Sequence, residues 1–263
     1  MAIFLLIGLF IAFSVYFFMN YMYRLAKLDQ VVEHTFVFHH FPGTEIITIF
    51  FISDIHRRII SEEIIANVKG KADIVLIGGD LAEKRVPLER IKENLARLKS
   101  VGPVYFIWGN NDYEIDRHEL DAMFLDMDIH ELFDTSVLFE TKGGGKIRLI
   151  GVDFYDEIEQ TGRLDLAMED VEEDSFKILA SHTPEIEKEI ENKHGIDLVL
   201  SGHTHGGQIR FFGLGKYKLG GISQKGDTII LTSNGYGTSL LPLRCSAKPE
   251  THLIRLKRNN PDL

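Results

Sequence analysis

Two short spacings place pairs of strong ligand side chains two residues apart: Asp54-x-His56 and His203-x-His205. In extended backbone, alternate residues point to the same side, so each pair can reach one small region. Asp80 follows Gly78-Gly79, Asn110 follows Gly109, and His182 follows Ser181, each just behind an apolar run. Oxygen and imidazole donors without a thiolate suit manganese, iron or zinc better than a soft metal. Singly, an Asp after Gly-Gly is a turn or a helix cap, and a buried His is a hydrogen-bonded core residue. Asp54, His56, Asp80, Asn110, His182, His203 and His205 together, all at strand ends, argue for one metal site. His118, His130 and His194 read as surface or cap residues.

The elements that must carry these groups are legible as alternating strand and helix signals. Residues 46–52, 74–77, 104–108, 147–152, 176–180 and 198–200 are short runs rich in branched and aromatic side chains, which predicts buried strands. Residues 61–69, 87–99, 164–172 and 184–193 have helical spacing, two of them opening with proline at a plausible first-turn position. Strand then helix, repeated, indicates an α/β fold. In such sheets the functional crevice lies outside the carboxyl ends of the strands, which lets groups distant in sequence converge. Glycines before Asp80, Asn110 and His203 let the backbone turn sharply and approach a ligand closely. Beyond Gly206 the pattern changes to glycine-punctuated strands, including Thr228–Thr232 and residues 252–256.

Composition narrows the class. With 44% hydrophobic and 26% charged residues in 263, the chain can bury a sizeable core. A formal net charge of -10 argues against nucleic acid as a partner, because the acidic balance opposes a basic face that neutralises a phosphate backbone. The single cysteine, Cys245, excludes an intramolecular disulfide and a cysteine-rich zinc site. Residues 2–23 carry no charge and are about as long as a hydrocarbon core is thick. Without basic residues before it or a small-residue cleavage site after it, this run reads as a membrane anchor rather than a signal peptide. Arg24 and Lys27 follow it, with Asp29 nearby, and the positive-inside tendency keeps the following domain in the cytoplasm. The expected organisation is an anchor at residues 1–24, a connecting segment at 25–44 and one domain at 45–263.

In this order, Asp54-x-His56, Gly79-Asp80, Gly109-Asn110, His182 and Gly202-His203-x-His205 resemble the motif blocks of the calcineurin-like metallophosphoesterases, over roughly residues 46–256. The stretches 202–208 and 237–244 resemble the membrane-associated bacterial phosphodiesterases of that superfamily. The resemblance implies two β-sheets packed as a sandwich flanked by helices, with a dinuclear site at one end. By motif position it implies one metal on Asp54, His56 and His205 and another on Asn110, His182 and His203, with Asp80 bridging them. Two divalent ions about 4 Å apart, manganese favoured over iron or zinc, would bind phosphate oxygens, lower the pKa of a bridging water and stabilise an in-line displacement at phosphorus. They would also supply the positive charge that an acidic protein needs to hold an anionic substrate.

The stretch Trp108-Gly109-Asn110-Asn111-Asp112 departs from the family pattern. Asn111 stands where most of the family has a histidine thought to protonate the leaving group, and Asn111 with Asp112 marks the leaving-group region. An amide is not a proton donor at neutral pH, so a general-acid contribution of about 10²- to 10⁴-fold is missing from this position. Either the leaving group departs unassisted, another acid replaces the histidine, or the enzyme is weak. The reading favours a phosphodiester or pyrophosphate substrate, on a phosphorylated small molecule or a lipid-linked intermediate near the membrane. Its rivals are a metal-binding pseudoenzyme that recognises a phosphorylated partner, and a nuclease.

Overall fold

The apolar runs pair into two six-stranded sheets. In a computed structural model that describes residues 1–154 and 162–259, the first sheet has the order β1 (Val31–Phe38), β12 (Thr251–Arg258), β2 (Ile47–Ile52), β3 (Ile74–Gly78), β4 (Val104–Ile107), β5 (Ile129–Glu131). The second runs β10 (Gly221–Lys225), β11 (Thr228–Thr232), β9 (Leu198–Ser201), β8 (Phe176–Ser181), β7 (Lys146–Val152), β6 (Thr135–Glu140). Strands β2 to β5 are mutually parallel, and so are β7, β8, β9 and β11. Parallel alignment brings their carboxyl ends to a common edge in each sheet, where the candidate ligands follow.

The central strands of both sheets are covered on both faces, which is why they read as continuous apolar runs. Alternate residues divide between layers. Ile49, Phe51, Leu76 and Ile107 face Leu149, Ile178, Ala180 and Leu200 across the sandwich. Phe50, Ile52, Val75, Ile77 and Phe106 point outward, under α2 (Glu62–Val68), α3 (Leu88–Lys99) and α4 (Arg117–Asp126). On the far side, Ile150, Val152, Leu179 and Val199 pack with Leu164 and Ala167 of α5 (Arg163–Ala167). The result is helix, sheet, sheet, helix. Helix α3 buries Ile91, Asn94, Leu95 and Leu98, one stripe at helical spacing. Asn94 in that stripe accepts from Ile60 N–H (2.9 Å) and donates to Arg58 O (2.9 Å), pinning the loop that follows the Asp54-x-His56 pair.

Three expectations change. Residues 164–172 form only the short α5, since Glu169 and Asp170 would put negative charge at a helix C-terminus. Residues 184–193 form 3₁₀ turns, Pro184–Lys188 and Asn192–His194, because the segment's buried apolar residues are Ile186 and Ile190 and the His194 side chain caps the Glu191 N–H (3.0 Å). His194 is thus a cap, and it is buried. Residues 25–44, expected to connect, carry β1, whose outer residues alternate with buried Phe36 and Phe38 while it runs parallel to β12.

Helix α1 (Ala2–Ala26) is long and apolar enough to cross a bilayer, and only Met22, Leu25 and Ala26 are buried against the domain. Arg58 caps its end, donating to Lys27 O and Leu28 O (3.1 Å each) with its guanidinium 3.7 Å from the Tyr236 ring centroid. Arg244 N–H also reaches Met22 O (3.1 Å).

Candidate metal centre

The strand ends bring the expected groups together. Asp54 and His56 follow β2, Asp80 follows β3, Asn110 lies beyond β4, His182 follows β8, and His203 and His205 follow β9. Asp54, His56, Asp80, His203 and His205 all have positive φ, between 49° and 67°, a conformation that costs a non-glycine residue about 1 kcal/mol or more. Strain repeated around a single point marks a site whose surroundings enforce it. Close approach is enforced as well. A Cβ on Gly79 (φ 80°) would lie 2.5 Å from His182 Nδ1, and one on Gly109 would collide with the Asp80 carboxylate and main chain.

The donor atoms converge in two groups. Asp54, His56 and His205 form one, Asp54, Asp80 and His182 the other, each with ligand atoms within 4.8 Å of one another. His56 Nε2 stands 3.1 Å from His205 Nε2, His205 Nε2 3.4 Å from Asp54 Oδ1, and His182 Nε2 3.4 Å from Asp80 Oδ2. His203 Nδ1 joins at 3.2 Å from His182 Nε2. Ligand atoms about 2.1 Å from a shared ion and at right-angled to tetrahedral angles are about 3.0 to 3.4 Å apart, so these spacings fit a metal. Asn110 Oδ1 is buried and has no hydrogen-bond partner among the described residues, although its amide nitrogen donates to Asn111 Oδ1 (2.8 Å). A buried amide oxygen without a hydrogen-bond partner, next to this group of carboxylates and imidazoles, fits a metal ligand.

Outer contacts settle which ring nitrogens face inward. His182 Nδ1 donates to Gly78 O (2.8 Å), and His56 Nδ1 lies 3.1 Å from Glu83 Oε2. With Nδ1 turned outward, Nε2 of each ring faces the site, where its lone pair would be available to a cation. Burial alone would lower the His182 pKa, but the Asp80 and Asp54 carboxylates raise it to about 10 in the metal-free chain. Burial, with the charges of His56 and Arg244, pushes His205 down to about 3. Burial opposes ionisation of Asp80, yet His182 and His56 hold its carboxyl below the ordinary range. A bound cation would displace the His182 proton and take over its role as counter-ion.

Asn111 is half-buried and lines a cavity of about 340 Å³ with Asp80, His203, His205, Lys216 and Tyr217. Asp112 does not belong with it in a leaving-group region. Its side chain is fully buried, and its oxygens accept from the N–H groups of Asp80 (2.7 Å), Gly109 (2.9 Å) and Ala82 (3.1 Å). Burial and the Asp80 charge push its carboxyl up to about 7. Its place is to hold the Asp80 and Asn110 loops together.

Glu83 and Arg244 went unread as site residues. Glu83 sits three residues after Asp80 in a charged loop, with no periodic pattern to single it out. Arg244 is fully buried, donating to Asn234 O and Gly237 O (2.7 Å each) and to His205 O (3.2 Å), and so braces the loop behind His205.

A two-sheet sandwich with Asp, Asn and His converging at the strand ends defines a metal-dependent phosphoesterase. Residues 47–207 match the calcineurin-like phosphoesterase family, and the chain belongs to it. It is 44% identical to Bacillus subtilis YpbG across 89% of this chain and 90% of that protein. It is 31% identical to a Helicobacter pylori (strain J99) metallophosphoesterase over 98% of this chain and 71% of that one, and 26% identical to the Escherichia coli phosphodiesterase YaeI over 79% and 81%.

Proposed function

We propose that the protein hydrolyses a phosphodiester or pyrophosphate bond at a pair of divalent metal ions, on a phosphorylated small molecule or lipid-linked substrate close to a membrane. Asp54, His56 and His205 would hold one ion and Asn110, His182 and His203 the other, with Asp80 between them. When bound, such ions polarise phosphoryl oxygens and make water a nucleophile at neutral pH. The chain's own residues do the rest. Glu83 and Gly78 O fix the His56 and His182 rings, and the Asp80 carboxylate is oriented by the Asn111 N–H (2.8 Å). Lys216 brings positive charge to the cavity that an anionic ester would enter.

The observation that carries the preference for a good leaving group, as in a pyrophosphate bond or an activated ester, is Asn111. It lines the cavity where the leaving group would depart, and its amide is too weak an acid to protonate that group at neutral pH. Substrates whose leaving group is already a weak base are therefore favoured. The E. coli relative carries the name phosphodiesterase, and that name supports a diester among such substrates. The net charge of -10 supports a small or lipid-linked substrate over nucleic acid. Manganese is the ion to try first, given a donor set without sulfur.

The test compares initial hydrolysis rates of an activated phosphodiester and its monoester by the full chain in detergent with added manganese. Diester cleavage should exceed monoester cleavage, and both should vanish in Asp80→Asn. Faster monoester cleavage would overturn the substrate class, and no cleavage with metal bound would leave a phosphate-binding pseudoenzyme.

A further inference from the structure

The loops that line the catalytic cavity carry exposed apolar side chains that the phosphoesterase chemistry does not use. Phe212 is fully exposed, Leu214 is 78% exposed and Leu240 86% exposed. They sit on two loops that are one unit. Gln208 Nε2 donates to Ser239 O (2.9 Å) and Leu241 O (3.1 Å), Ser239 N–H returns a bond to Gln208 Oε1 (2.8 Å), and Arg210 N–H pairs with Cys245 O (3.0 Å). The Arg210 guanidinium donates to the carbonyls of Gly206, Tyr217 and Gly213, so the Phe212 tip is held in shape rather than left free. Lys216, Tyr217 and Leu240 of the same loops line the cavity.

This rim adjoins α1. The Phe211 and Phe18 ring centroids are 6.1 Å apart, and Arg244 N–H bonds Met22 O at 3.1 Å. Phe18 precedes Arg24 by six residues, which on a helix is about 9 Å along the axis. With Arg24 at the headgroups, where a basic residue ending a span belongs, Phe211 lies level with a part of α1 already within the apolar layer. A depth of about 5 to 10 Å is that of apolar faces lying in a membrane interface. Lys216 and Lys218, exposed on the same loop, match the anionic surface of a bilayer.

We propose that Phe211, Phe212, Leu214 and Leu240 insert into the leaflet that α1 enters, so that the catalytic cavity opens at headgroup level and receives its ester from the lipid surface. The partner is a phospholipid bilayer. The proposal rests on α1 as a membrane anchor and on the cavity as a phosphodiester site, and it adds how the two are joined. Cavity and anchor share one rim, so the distance between membrane and metal site is fixed.

The test places single nitroxide labels on the full chain in nanodiscs of phosphatidylglycerol and phosphatidylcholine, in a Cys245→Ser background, through Phe212→Cys, Gly8→Cys and Gly226→Cys. Gly8 reports α1, and exposed Gly226 lies in the hairpin at the opposite end of β11 from the site. Accessibility to dissolved oxygen relative to an aqueous nickel complex should be several-fold higher at 212 than at 226, and similar to that at 8. A label at 212 as water-exposed as that at 226 would overturn docking; if position 8 were lipidic, the anchor would stand without it. Should labelling disturb the tip, Phe212→Trp keeps it apolar, and its emission should be quenched by lipids brominated high on the acyl chain. No quenching would count against docking. Neither readout involves turnover, so hydrolysis of a soluble diester decides the phosphodiesterase reading separately.

Discussion

The Asp80 main-chain N–H donates to Asp112 Oδ2 at 2.7 Å, joining the loop after β3 to the loop after β4 beneath the candidate bridging carboxylate. Asp112 touches neither cavity nor ligand atoms and acts by position. Asp112→Ala should lower manganese affinity about 10- to 100-fold, the usual cost of losing an outer contact to a ligand. It would also leave the Asp80, Ala82 and Gly109 N–H groups without an acceptor, at about 1 to 3 kcal/mol for each that stays dry. Asp112→Asn, retaining one acceptor oxygen, should fall between. Calorimetric titration of the full chain decides this, and unchanged affinity in a folded Asp112→Ala protein would remove the positioning role.

Asn111 sets a second expectation. Asn111→His places a proton donor on the cavity wall, and general acids contribute about 10²- to 10⁴-fold where leaving groups are poor. Turnover of alkyl esters should rise well beyond that of aryl or pyrophosphate esters. Equal gains on both would mean that leaving-group protonation is not what Asn111 lacks.

A third concerns acid stability. His252 on β12 is buried, 2.9 Å from Ser233 Oγ and 3.1 Å from His34. Burial, then the nearby His34 charge, pushes its pKa from 6.5 down to about 3. The unfolded chain takes up this proton near 6.5 and the folded chain only near 3, so the unfolded state binds more protons in between. Stability is therefore complete above about 6.5 and falls as pH drops through that window, by at most about 1.4 kcal/mol per unit. His252→Gln has no such proton. Unfolding followed through buried Trp108 should show a shallower loss between pH 6 and 4 in the variant, whereas parallel curves would refute the assignment.

Legibility in the sequence followed how local each signal is. β2, β3, β8 and β9 were readable because strands buried on both faces are unbroken apolar runs, and the candidate ligands stood out because each lies within a few residues of the end of such a run. α1 was readable from length and lack of charge. β1 was not, since its pairing is with β12, whose residues lie some 220 positions away. Asp112 and Glu83 were hidden for the same reason: Asp112 bonds a main chain 32 residues distant, and Glu83 meets a ring on the far side of the β2–β3 connection. Residues 164–172 and 184–193 had helical spacing, but buried contact is confined to a few positions, and charge and capping shortened them. Beyond motif positions, tertiary partners decide.

If the Asp54, His56, Asp80, Asn110, His182, His203 and His205 cluster holds two ions, turnover needs both halves of it. The most direct measurement adds manganese stepwise to metal-stripped full chain and follows the initial rate of diester hydrolysis against metal bound. The rate should stay low through the first equivalent, rise with the second, and remain flat in Asp80→Asn. Full activity at one equivalent, or none at two, would contradict it.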